Sequence, residues 1–138
     1  MKKRRKKSEQ QKKVEELDRL WSLVVRTRDN FQCQGKGCPA NGNRMHGAHI
    51  WSRGNRSTRW DEDNGITLCF YHHITWAHRQ PLEFAEWIKE LIGDKMYEEL
   101  RKKSNEILKV TPQVLEEIKE KLEERLKYYQ GLNDEELF

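Results

Sequence analysis

Cys33-x4-Cys38 and Cys69-x2-His72 are two pairs of soft metal ligands at short spacing. A thiolate or imidazole pair two to four residues apart can turn back on one ion, and Zn²⁺ takes four such ligands in a tetrahedron. All three cysteines of the chain enter this set, and Gly35 and Gly37 permit a tight knuckle inside the first pair. His73 or His78 could replace His72 as the fourth ligand. Binding would close a segment of more than thirty residues, and structural zinc supplies on the order of 10 kcal/mol to small domains.

Beyond that set stand His46, His49, His73 and His78. An imidazole titrates near pH 6.5 and is the natural base near neutrality. A single histidine such as His49, flanked by Ala48 and Ile50, is by itself more often packed and hydrogen-bonded than catalytic. The order of His49, Asn64 and His73 between and beside the two ligand pairs gives it weight.

The elements that must position these groups can be read from periodicity. Val14, Leu17, Leu20, Trp21, Val24 and Val25 predict an amphipathic helix over residues 14–28. The following forty residues are glycine-rich, with extended runs at Met45–Trp51 and Gly65–Phe70 that suit a hairpin with a long loop. A short helix over His72–His78 follows. Pro81 opens another helix that Gly93 caps, and Asp94 to about Lys109 continues as helix. Thr111-Pro112 forms an N-cap and N1 pair for a last helix to about Gln130. Its apolar stripe could pack on the domain or pair two chains as a homodimer. The expected class is α+β. The expected units are a basic arm (1–13), a core with its leading helix (14–80) and a C-terminal helical extension (81–138).

Hydrophobic residues make up 35% of the 138 and charged residues 36%, so apolar burial alone would leave a thin core around the glycine-rich segment. The odd cysteine count argues against a disulfide framework and suits a cytoplasmic chain. No apolar run is long enough to span a bilayer. The net charge of +4 hides segregation: residues 1–13 carry +7 and residues 26–60 carry +6, while residues 61–138 carry −7. A polyanion would bind the arm and the histidine-bearing segment. Arg53, Arg56 and Arg59, with no acid from Ala40 through Trp60, are candidate phosphate contacts. Trp51, Trp60 and Trp76 could stack on unpaired bases or complete the core.

GAHIWSRGN, then RWDEDN, then TLC, with Cys69-x2-His72-His73, resembles the HNH or ββα-metal endonucleases, and within them is similar to phage recombination nucleases of the NinG type. The resemblance covers residues 31–78. It implies a zinc-stapled ββα-metal core in which Cys33, Cys38, Cys69 and His72 hold structural zinc. His49 would be the general base, and His73 would hold a catalytic Mg²⁺ or Mn²⁺. Asn64 would either ligate that ion or hold the loop that orients His49. The substrate implied is DNA, branched DNA by resemblance alone, in the host cytoplasm if the chain is phage-encoded. Ala48 stands where many members carry an acidic or histidine ligand, and Asp61, Asp63 or His46 could compensate. His78 could be a second metal ligand, a phosphate contact or a surface residue. The rival expectation is a non-catalytic zinc module that binds nucleic acid.

Overall fold

The computed structural model describes residues 2–135, so Met1 of the expected arm and residues 136–138 of the C-terminal extension lie outside the described residues. Its order is α1 (Glu9–Arg28), β1 (His46–His49), α2 (Arg56–Arg59), a 3₁₀ turn (Glu62–Asn64), β2 (Gly65–Leu68), a π-helical segment (Tyr71–Ala77), α3 (Pro81–Ile92), α4 (Asp94–Ser104) and α5 (Pro112–Glu135). The class is mixed α and β, mostly helical with a single two-stranded sheet among the described residues. No helix of the described chain is long and apolar enough to cross a membrane.

Helix α1 begins at Glu9, inside the stretch read as an arm. Ser8 Oγ accepts from Gln11 N–H at 3.2 Å and Gln11 Oε1 accepts from Ser8 N–H at 3.0 Å, a reciprocal capping box. The Ser-x-x-Gln signal lies among charges that hide it from a hydrophobic-period reading. At the other end Asn30 and Phe31 both take positive φ and turn the chain out of the helix.

The strands pair antiparallel, with His46 opposite Leu68 and His49 opposite Gly65. Because side chains alternate along a strand, the hairpin has two distinct faces. Gly47, His49, Gly65 and Thr67 face α1. A Cβ on Gly65 would stand 2.5 Å from Val25 Cγ2, and one on Gly47 would stand 2.8 Å from Ser22 Oγ, so both glycines are needed for helix and hairpin to touch. The opposite face, with Ala48, Ile66 and Leu68, packs with Cys33, Met45, Ala77, Phe84 and Ile88 into one core.

A second core is built between α1 and α5. Leu115 and Leu122 of α5 bury there with Leu17, Trp21, Val24, Val25 and Trp60. Each fully buried leucine contributes about 2 kcal/mol. The stripe of α5 is thus covered within the chain, with Thr111 Oγ1 accepting from Val114 N–H at 3.1 Å to cap it. Helix α4 stops at Ser104 rather than near Lys109, and Ile107 beyond it is 98% exposed. The apolar pair Ile107-Leu108 mimics a continuing period, whereas only Leu108 packs on the second core.

Candidate metal centres and the histidine cleft

Cys33, Cys38, Cys69 and His72 converge, their ligand atoms all within 4.8 Å of one another. Bonds of zinc to sulfur and nitrogen at tetrahedral angles would place two sulfurs about 3.8 Å apart and sulfur and nitrogen about 3.6 Å apart. Cys38 Sγ and Cys69 Sγ are 3.9 Å apart, and His72 Nδ1 lies 3.6 Å from Cys33 Sγ and 3.3 Å from Cys69 Sγ. The set can therefore hold a metal such as zinc, with His72 in the fourth place that sequence left open. Backbone supports it: Cys69 N–H points at Cys33 Sγ (3.3 Å) and His72 N–H at Cys69 Sγ (3.5 Å). Gly35 lies against the His72 ring, where an added Cβ would meet ring atoms at 2.9 Å. Burial pushes the Cys33 thiol up to about 11. Burial also opposes ionisation of Cys69, but donors from His72, Cys33 and Cys38 outweigh it and bring that thiol down to about 7.

His49 sits at the end of β1, where its ring stacks on Trp21 with centroids 3.9 Å apart and planes 7° apart. Its Nε2 lies 2.9 Å from the Arg59 carbonyl oxygen. A carbonyl can only accept, so Nε2 carries the proton and Nδ1 keeps the lone pair. Burial lowers the pKa of this imidazole, against the raising influence of the Arg59 carbonyl and Asp18. The neutral tautomer is therefore held ready near pH 7.

The segment expected as a short helix over His72–His78 is π-helical. His78 N–H bonds His73 O at 3.3 Å, five residues back. In an α-helix residues five apart diverge by about 140° around the axis, whereas here the His73 and His78 rings lie side by side, centroids 4.8 Å apart. On the other side of His73, His46 Nδ1 stands 3.0 Å from His73 Nδ1. Two imidazole nitrogens bound to one cation at about 2.1 Å and at right angles would be about 3.0 Å apart. Burial, helped by the neighbouring His78, His46 and His49, lowers His73 to about 4.

Of the three residues named as substitutes for a ligand at Ala48, His46 alone reaches His73. Ala48 is buried, and the strand's alternation puts His46 two residues upstream on the same face. That period of two was the sequence signal for His46. Asp61 is occupied elsewhere, accepting from Lys103 Nζ at 2.5 Å and capping Asp63 N–H at 3.0 Å. With Asp63 it lines a separate pocket beside α5.

Asn64 is fully buried. Its Oδ1 accepts from Trp51 N–H at 2.8 Å, and its Nδ2 donates to the carbonyls of Trp51 (3.0 Å) and Thr58 (3.1 Å). The side chain ties the two ends of the 51–63 loop together. The 3₁₀ turn beside it is held from both flanking helices: Arg28 donates to Glu62 O at 2.6 Å and Gly65 O at 2.8 Å, and Tyr129 donates to a Glu62 carboxylate oxygen at 2.6 Å.

His49, His73 and His78 line one cleft of about 730 Å³, with Trp21, Ser22 and Arg53. A second groove of about 750 Å³ joins it through Asp18 and Arg53. Its walls are the basic segment Arg5–Lys7 and the loop residues Arg53 and Arg56, both exposed. Arg59 differs from these two. Its guanidinium forms a two-point ion pair with Asp18 at 2.9 and 2.7 Å, and Asp18 also accepts from Trp60 Nε1 at 2.9 Å. Arg59 thus anchors the loop to α1 instead of presenting its charge to a phosphate. Trp60 is buried in the second core and Trp76 packs against the first on Phe84 and Trp87, while Trp51 packs on Tyr97 outside both.

Sequence reasoning missed Trp21 and Asp18 as parts of this site, because their periodic positions read only as helix face. Compared with family models, curated proteins and solved structures, the chain finds no match.

Proposed function

We propose that the chain is a metal-dependent DNA endonuclease of the HNH or ββα-metal type, stapled by zinc at Cys33, Cys38, Cys69 and His72. The observation that carries this reading is the cleft in which His49, with Nε2 committed to the Arg59 carbonyl and Nδ1 left basic, lies beside His73. Hydrolysis of a phosphodiester needs a base for water and positive charge for the phosphate. His49 Nδ1 takes the proton of the attacking water, whose oxygen bonds to phosphorus as the phosphorus–oxygen bond of the leaving group breaks. His73 and His46 are the residues that would hold a divalent cation, with His78 as a further candidate. When bound, that cation would stabilise charge on the phosphate and leaving oxygen.

Because no carboxylate joins these imidazoles, Mn²⁺ suits the set better than Mg²⁺, and later transition metals should bind more tightly still. Asn64 acts as the loop holder in this reading, since its polar atoms are all engaged with backbone. Arg53 and Arg56 contact the DNA backbone. A recombination role on branched DNA follows from the NinG resemblance of residues 31–78.

Ala48 favours a second reading, a non-catalytic zinc module that binds nucleic acid. Nicking of supercoiled plasmid and of a four-way junction separates the two, with wild type and His49→Ala in Mg²⁺, Mn²⁺ or EDTA. Metal-dependent cutting that disappears in the variant supports the nuclease. Binding of both substrates with no cutting of either gives the answer to the zinc module.

A further inference from the structure

We propose that the strand engaged at the cleft is unpaired DNA, running from the basic groove past the histidines onto an exposed aromatic pair, Phe70 and Tyr71. This rests on the nuclease reading and adds the form of its substrate. Consecutive aromatics at the start of the π-helical segment are 64% and 59% exposed, where burial would be worth about 2 kcal/mol or more for each ring. They lie beside the site. Phe70 meets the His46 ring edge-on at a centroid separation of 6.2 Å, and His46 is 5.2 Å from His73. Tyr71 meets the zinc-set His72 at 5.2 Å.

The charge of the segments around this track suits a polyanion. No acidic residue occurs from Asn30 through Trp60; Lys36 follows Gly35, which lies against the His72 ring, and Arg44 lies two residues before His46, which meets Phe70. At the other end, the acids that enter the basic groove are neutralised: Glu15 by Lys7 at 2.8 Å and Asp18 by Arg59 at 2.7 Å. Arg5, Lys6, Arg53 and Arg56 remain for phosphates. In a duplex the base faces are already stacked on one another, so exposed rings add nothing there. Unpaired bases stack on aromatic side chains with little regard to sequence.

The test is binding of labelled oligothymidylate and of a duplex of equal length to full-length, zinc-loaded protein carrying His49→Ala, so that neither is cut. Unpaired DNA should bind at least tenfold more tightly than the duplex. Phe70→Ala and Tyr71→Ala should each weaken it about tenfold and leave duplex binding unchanged. Phe70→Leu, which keeps apolar bulk without a π-face, should lose nearly as much as Phe70→Ala. Leu82→Ala, which removes an exposed apolar side chain without a ring (81% exposed), should change neither. Equal affinity for the two forms, or zinc-replete aromatic variants that bind unpaired DNA like the parent, would overturn the proposal. If the wild type still nicks plasmid in that case, the nuclease reading stands without it. Failure to bind either form sinks both.

Discussion

Asn64→Asp separates the two roles that the sequence leaves to this residue. The replacement keeps the shape and the acceptor for Trp51 N–H, but turns the donor that serves the Trp51 and Thr58 carbonyls into a second acceptor. Two hydrogen bonds, each worth about 1 kcal/mol net, are lost. A buried oxygen then faces two carbonyls, which costs about 1–3 kcal/mol more, through repulsion or through forced protonation. The total of about 3–5 kcal/mol is a large share of the 5–15 kcal/mol typical of a domain. For a chain of this size it should lower Tm by about 10–20 °C, measured by circular dichroism with zinc held constant. A cation ligand would respond in the opposite way, since a carboxylate binds Mn²⁺ better than an amide oxygen does. A variant melting within 2 °C of wild type, with tighter Mn²⁺ binding by calorimetry, would refute the loop-holding argument.

Four further outcomes follow from the geometry. Cys38→Ser should abolish stoichiometric zinc and cooperative melting together, as zinc analysis and scanning calorimetry would report; retention of either removes the staple from the account. Arg56→Ala should reduce the salt slope of DNA binding by about one while sparing stability, whereas Arg59→Ala should lower Tm because it frees Asp18 and the loop. His46→Ala should weaken Mn²⁺ binding at the His73 site at least tenfold and leave zinc content intact; unchanged Mn²⁺ affinity excludes His46 as a ligand. Because burial lowers the His49 pKa, the acid limb of single-turnover cleavage should fall below pH 6.5, and Asp18→Asn should move it lower still. The same sign applies to stability: with the folded value below the unfolded one, His49 favours the unfolded state increasingly as pH drops beneath 6.5. An acid limb above 6.5 would contradict this environment for the base.

The helices and the ligand set were legible because each depends on short-range pattern: Pro81 and Gly93 bracket α3 as punctuation predicts, and the cysteine spacings mark the metal cluster. What periodicity could not supply was which face meets which. His46 is one of three residues that could compensate for Ala48, and only the pleat singles it out by putting it beside His73. Likewise His78 is unplaceable at α-helical pitch, and only the wider π turn brings it next to His73. Arg59 resembles Arg53 and Arg56 in composition, and its different fate depends on Asp18, 41 residues away on another helix. Asp18, Trp21, Ser22, Val25 and Arg28 all lie on α1, so a site that reads as local to residues 31–78 is built against a helix outside them.

The clamp on the 3₁₀ turn has a consequence in time. Glu62 is held from one side by Arg28, made early, and from the other by Arg125 and Tyr129, 63 and 67 residues further along the chain. A ribosome releases the zinc ligands and the hairpin well before it has synthesised the last turns of α5, so the metal cluster can form on the nascent chain while the loop under His49 is still only half restrained. Competence at the cleft is therefore tied to synthesis of α5, and a product truncated before Arg125 should keep its zinc while lacking a fixed base.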